Sequence, residues 1–200
     1  AIWETIGYQL IKGKGKSLGM RLPKVFCFAG DCVNKNDHLA TFVFSMGVIG
    51  VCIVLYGFTQ HTTPQIYYVT GASLLLITAI YFQLTYFVAL ELILIAGHGA
   101  ILLGIGPVLQ AVLPILLSVQ LLAYYILSGR LENVFRLIGI VGIALLSIAF
   151  AYQNQWILFF GGLGISIFAF YQFYQGYRAA LLWGIFNLIC MGIAASKLTF

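Results

Sequence analysis

Residues 84–105 read LTYFVALELILIAGHGAILLGI, a run holding one carboxylate, Glu91, one imidazole, His98, and no Lys or Arg. Coiled as an α-helix at about 1.5 Å per residue it would be about 33 Å long, enough to cross a hydrocarbon core of about 30 Å. The rest of the chain has the same character. Hydrophobic residues make up 62% of it, charged residues 8%, and the mean hydropathy is +1.03. A water-soluble domain carries roughly a quarter charged residues, so the solvent for this chain is lipid.

Working outward from that run, six more apolar stretches are legible at 40–59, 66–82, 107–127, 134–152, 156–174 and 177–195. The breaks between them are polar or turn-forming: Gln60 to Gln65, Gly106-Pro107, Ser128 to Asn133, Gln153-Asn154-Gln155 and Gln175-Gly176. The weakest break is Gln83, where the second and third runs nearly fuse. At about 20 residues per span, the 200 residues accommodate about seven spans once residues 1–39 are set aside. The sequence therefore predicts an all-α integral membrane protein with about seven transmembrane helices: a basic amphipathic arm over 1–39, then a polytopic domain over 40–200.

Charge checks the count independently. The arm carries Lys12, Lys14, Lys16, Arg21, Lys24 and Lys35, six of the ten basic residues. Such groups are drawn to anionic headgroups by about 1 kcal/mol each, and short loops rich in Lys and Arg stay on the cytoplasmic side. With the arm inside, seven spans also place Arg130, Arg136 and Arg178 inside and leave only Lys197 outside. Merging the second and third runs would move Arg130 and Arg136 out. A bacterial or organellar inner membrane is expected, with the N-terminus on the cytoplasmic or matrix side. The arm lacks the short apolar core and small-residue cleavage site of a secretory signal. Tyrosines and tryptophans near the run ends form two belts, with Tyr67, Tyr68, Tyr152 and Trp156 at one interface and Tyr81, Tyr86, Tyr124, Tyr125, Tyr171 and Tyr174 at the other.

Candidate chemistry lies in the polar residues at membrane depth, because an ionisable group in hydrocarbon costs several kcal/mol and is kept for a role. Glu91 is the strongest: a carboxyl there is either protonated or paired with another helix, and suits a proton or cation site or a hydrogen bond to a polar substrate. The bland alternative is a carboxylate that cements helix packing. His98 is seven positions further on, on the same face but about 10 Å away, so the two do not touch. In the last run Trp183 and Asn187 are one turn apart, an aromatic plate beside an amide that reads donors and acceptors, or else packing and interhelical glue. Gln110, Pro114 and Ser118 recur every fourth residue and should look inward. Gly139, Gly142, Gly161, Gly162, Gly164 and Ser166 permit close helix approach; lacking a following Lys-Ser or Lys-Thr, they are not a phosphate loop. Cys27 and Cys32, with Asp37 and His38, lack the spacing of a zinc knuckle, so neither metal nor cofactor is implied.

The runs group as three helices, a linking helix and three more, with Tyr81 preceding Glu91 by ten residues as Tyr177 precedes Asn187. Ala169-Phe170-Tyr171-Gln172 leading into Leu182-Trp183-Gly184-Ile185-Phe186-Asn187 resembles the Trp and Asn spacing on a late helix of PnuC-like proteins, within the seven-helix 3+1+3 transporters that include the SWEET and PQ-loop proteins. The family's Pro-Gln dipeptide has one counterpart, Pro64-Gln65, placed ahead of the second run. The resemblance implies a facilitative pore for a small polar solute, with Trp183 and Asn187 near the midplane. The expected function is thus a transporter or channel-like facilitator, with Glu91, Trp183, Asn187 and Gln110 binding solute and Glu91 and His98 a proton or ion site. Its partners would be the bilayer, the solute and copies or neighbours in the membrane, not nucleic acid. The alternative is a non-catalytic structural or assembly subunit of a larger membrane complex. An intramembrane enzyme has no paired aspartates, Ser-His or His-Glu metal motif to rest on.

Overall fold

The computed structural model describes residues 37–60, 62–129 and 133–199. The arm up to residue 36, with Cys27 and Cys32, and also His61 and Arg130, lie outside the described residues. Among the described residues seven α-helices follow one another: α1 (Asp37–Gly57), α2 (Pro64–Tyr81), α3 (Thr85–Leu102), α4 (Pro107–Leu127), α5 (Val134–Tyr152), α6 (Gln155–Tyr174) and α7 (Leu181–Thr199), the last entered through a 3₁₀ turn, Arg178–Ala180. No strand occurs among the described residues.

Five helices, α1, α3, α4, α6 and α7, are long and apolar enough to cross a membrane, which makes this a multi-pass α-helical membrane protein. The other two fall short for different reasons. In α2, Pro64, Gln65, Tyr67 and Tyr68 dilute the first turns, whereas α5 is apolar over a shorter stretch, Val134–Phe150. Pro64 opens α2 in its first turn, where a missing N–H costs nothing.

The helix ends explain why the runs separate. At the weakest break, Gln83 takes a left-handed conformation (φ 55°) and the Leu84 N–H donates to Ala79 O at 2.9 Å, closing a Schellman-type turn. Gly104 (φ 65°), Gln153 (φ 51°) and Gly176 (φ 98°) close α3, α5 and α6 in the same way, with bonds of Ile105 N to Ala100 O, Asn154 N to Ala149 O and Tyr177 N to Gln172 O. The third run thus ends at Leu102 and not at residue 105. Asn133 and Asn154 cap α5 and α6, their side-chain oxygens accepting from Phe135 N at 3.1 Å and Ile157 N at 3.2 Å. At the other extreme α7 continues to Thr199, past the last apolar residue of the run.

Short connections fold each helix back along its predecessor. Beyond these sequential neighbours, α3 also packs on α5 and α1 on α7, while the main neighbours of α4 are α3 and α5. Exchanging α1, α2, α3 for α5, α6, α7 turns one of those two seams into the other. In lipid, apolar helices gain little from hiding from solvent, so close packing has to hold them. Such close packing is found between α1 and α2, where a Cβ built on Gly71 would lie 2.6 Å from Gly50 O, and between α5 and α6. A Cβ built on Gly161 would lie 2.7 Å from Leu146 N, and one on Gly142 2.9 Å from Ile165 N, so only glycine permits this approach. The small residues singled out in the sequence face one another here.

Candidate functional site

Three of the five predicted site residues converge directly. Glu91 is the seventh residue of α3 and Asn187 the seventh of α7, so each stands about 9 Å into its helix. Trp183, one turn before Asn187, donates its Nε1–H to Glu91 Oε1 at 2.7 Å. The Asn187 amide donates to Trp183 O at 2.9 Å. Glu91 and Asn187 are each 1% exposed and Trp183 is fully buried. The indole is not an open plate: Phe87 stacks on it with centroids 4.6 Å apart and planes at 27°. Trp183 therefore positions the carboxyl and offers no free face.

His98, two turns along α3 from Glu91, lines the same cavity, together with Tyr68, Phe150, Phe186, Asn187 and Cys190. Glu91 and His98, expected from the sequence not to touch, thus share the lining of one cavity. Its volume is ≈ 20 Å³, room for about one water molecule. Among the described residues, Glu91 Oε2, Asn187 Oδ1 and His98 Nδ1 find no hydrogen-bond partner. Each such buried atom costs about 1–3 kcal/mol unless something fills the role. Tyr68 and Phe150 pack on the imidazole at centroid distances of 4.8 and 4.6 Å and close that side with rings.

Gln110 stands apart from this group. Its side chain donates to Ile105 O at 2.6 Å, tying down the turn before α4, and it lines a neighbouring cavity with Pro114, Ser147, His98 and Phe150. His98 and Phe150 are shared by both cavities. The Gln110, Pro114 and Ser118 face does look inward, with Pro114 and Ser118 buried and Ser118 Oγ donating to Pro114 O at 2.8 Å.

A second polar place was not singled out in the sequence. At the end of the bundle where α2 turns into α3 and α6 turns towards α7, a cavity of ≈ 350 Å³ is lined by Gln83, Thr85, Tyr86, Tyr125, Arg136, Tyr171, Gln172, Gln175 and Tyr177 over a floor of Phe87 and Phe168. Asn133 fixes one wall: besides capping α5 it donates its amide N–H to the Tyr171 hydroxyl, and Phe135 stacks on the Tyr171 ring at 4.5 Å. Tyr86 is 5% exposed, with its ring 4.0 Å from that of Phe168 and its hydroxyl unpartnered among the described residues. Gly139 makes the room, since a Cβ there would lie 2.7 Å from that hydroxyl. Because Phe87 both lines this vestibule and stacks on Trp183, that pair forms part of the partition between vestibule and central cavity.

The aromatic belts split accordingly. Tyr152, Trp156 and Tyr174 are 65%, 60% and 89% exposed, as belt residues should be, whereas Tyr68, Tyr86 and Tyr125 are buried and line the cavities. For Tyr68 a signal was present: it shares a helical face with Ala72 and Leu75, both buried. Comparison of the chain with protein-family models, with curated proteins and with solved structures gives no match.

Proposed function

We propose that this protein is a seven-span facilitator that passes a small polar solute between its two helix triplets, with Glu91, Asn187 and His98 forming an occluded site near mid-membrane. The single observation that carries the reading is the cluster of three polar atoms, unpartnered among the described residues, around one cavity lined by α1, α2, α3, α5 and α7. A purely structural polar network is stable when every member is satisfied; this one holds acceptors and a ring nitrogen ready for a transient partner. The pair of seams exchanged by swapping triplets fits a pathway at the interface of two parallel repeats, with α4 as the linking helix. Glu91 and Asn187 then hold equivalent places on the third helix of each triplet.

For α2 and α5 to cross as well, each needs only to span the core: 18 and 19 residues give about 27 and 28 Å. Seven crossings set Arg136 and Arg178 at the end where α1 begins and Lys197 at the other, which assigns the first end to the cytoplasm or matrix. The vestibule lies at that end.

The test is iso-osmotic swelling of vesicles containing the purified full chain, using small neutral polyols and sugars. Wild type should swell faster than empty vesicles, and Asn187→Leu and Glu91→Leu should return the rate to that of empty vesicles. Swelling by both variants at the wild-type rate would sink the assignment of the site. A second reading, a structural or assembly subunit, is favoured by one observation: the central cavity takes about one water, so the Trp183–Glu91 bond can serve as cement between α7 and α3. Purification in mild detergent within a fixed hetero-complex would favour it.

A further inference from the structure

We infer that the central cavity is a binding site for an ammonium group, whose N–H donors are received by the Glu91 carboxylate, the Asn187 amide oxygen and the His98 ring nitrogen. The inference rests on one part of the preceding reading, that this cavity is a site to be occupied, and names the occupant by its chemistry. The hydrogen bonds already made fix what each side chain has left to offer. Trp183 Nε1–H donates to Glu91 Oε1, so Oε2 is the carboxyl oxygen without a partner among the described residues. The Asn187 amide nitrogen is turned to Trp183 O, so Oδ1 is the end left over, and an amide oxygen only accepts. His98 Nδ1 accepts in the tautomer that carries its proton on Nε2. His98 is buried like the other two, at 4% exposed.

Three acceptors around one small volume set the requirements on the occupant. The cavity admits about one water-sized body, and that body must bring three donor hydrogens. A water molecule brings two, and satisfies all three atoms only if Glu91 carries a proton of its own. An ammonium ion is of similar size and brings four. It also supplies the positive charge that a buried carboxylate needs, and among the described residues no Lys or Arg lines the cavity to supply it. When ammonium replaces the protonated carboxyl and its water, the Glu91 proton and the water leave to bulk solvent, and the net charge in the cavity stays the same. The rest of the lining favours nitrogen over a bare metal ion. Hard cations prefer oxygen on every side, whereas one of these three acceptors is an imidazole nitrogen. Tyr68, Phe150 and Phe186 add aromatic rings, which attract a cation set over their faces.

The experiment is calorimetric titration of the purified full chain in neutral detergent, at constant ionic strength, with the chlorides of ammonium, sodium, potassium and tetramethylammonium, the last a cation without N–H donors. Saturable binding of ammonium in preference to the other three is expected. It should be weakened at least about tenfold in Glu91→Gln, which keeps an acceptor for the indole and removes the charge, and in Asn187→Leu. Methylammonium separates the two sources of the group: tighter binding than ammonium assigns the site to the head of a small amine, and weaker binding to the ammonium ion itself. Should Glu91→Gln fail to fold, Asn187→Leu keeps the test decisive. Ammonium bound no more tightly than sodium or potassium, or bound unchanged in Glu91→Gln or in Asn187→Leu, overturns the inference. Swelling of wild-type vesicles without selective ammonium binding would leave the facilitator standing and overturn the occupant named here. Selective binding that depends on Glu91, in a chain whose vesicles do not swell, would support the occupant and remove the passage.

Discussion

The two polar places in this bundle differ in what surrounds their polar atoms. At the centre, a carboxyl, an amide and an imidazole share space for about one water and are walled by rings. At the α2–α3 end, an arginine, several amides and phenolic hydroxyls share ≈ 350 Å³. The centre is costly and closed, so it is maintained only if something visits it or if its single indole bond repays the loss of solvation. The vestibule is far roomier, so its polar groups are less costly to keep there and by themselves say less about function. The Phe87–Trp183 stack belongs to both regions.

The largest expected effect comes from breaking the central bond. Trp183→Phe removes the Glu91 partner and leaves both carboxyl oxygens without one, which should cost about 1–3 kcal/mol of stability by thermal or denaturant unfolding in detergent. Adding Glu91→Leu removes the orphan and should restore most of that loss while solute flux stays at background. If the double variant remains as unstable as Trp183→Phe, the bond is not what couples the two residues. Next in size is Gly139→Ala. Its methyl would press on the Tyr86 hydroxyl and on Phe168, costing about 1–3 kcal/mol and disturbing the vestibule floor. The loss is read as a lower unfolding midpoint in detergent, and an unchanged midpoint would show that Tyr86 and Phe168 yield without strain.

Asn133→Ala should be milder. Loss of the α5 cap and of the Tyr171 contact costs about 1 kcal/mol, read as a lower unfolding midpoint, with swelling rates unchanged. Smallest is Gln110→Leu. Its one bond, to Ile105 O, is local to a turn, so a loss of no more than about 1 kcal/mol and unaltered flux are expected. A strong transport defect there would extend the central site through His98 into the neighbouring cavity.

These contrasts also show how much of the molecule the amino-acid sequence discloses. The all-α membrane class and the rough placement of the helices were legible because apolar runs long enough to span lipid leave few alternatives, and because Asn133, Asn154 and Gly176 are recognisable end signals, whereas Gly104 was read as part of the third run. Two ends depended on glutamines, Gln83 and Gln153, adopting a left-handed conformation that glycine normally supplies, and this residue type does not announce it. Glu91, Trp183 and Asn187 were legible for the reason they are costly: polar atoms at depth stand out. Tyr86, Tyr125, Arg136 and Gln172 were not, since at the ends of spans such residues are what an interfacial belt looks like, and only packing separates an outward ring from an inward one. Which of Gln110 and His98 joins Glu91 was likewise a matter of helix adjacency, invisible in spacing along one chain.

Cys190 supplies the most direct test of the central claim, because its thiol is 3% exposed and lines the same cavity as Glu91 and Asn187. With Cys27, Cys32 and Cys52 replaced by serine, a small, charged, membrane-impermeant thiol reagent applied to the chain in vesicles reports whether water reaches the centre. A facilitator predicts steady labelling of Cys190 in the folded protein, slowed by a permeating solute. No labelling over hours in the folded protein, with full reactivity once it is unfolded, would show the centre to be sealed and its polar groups to be cement.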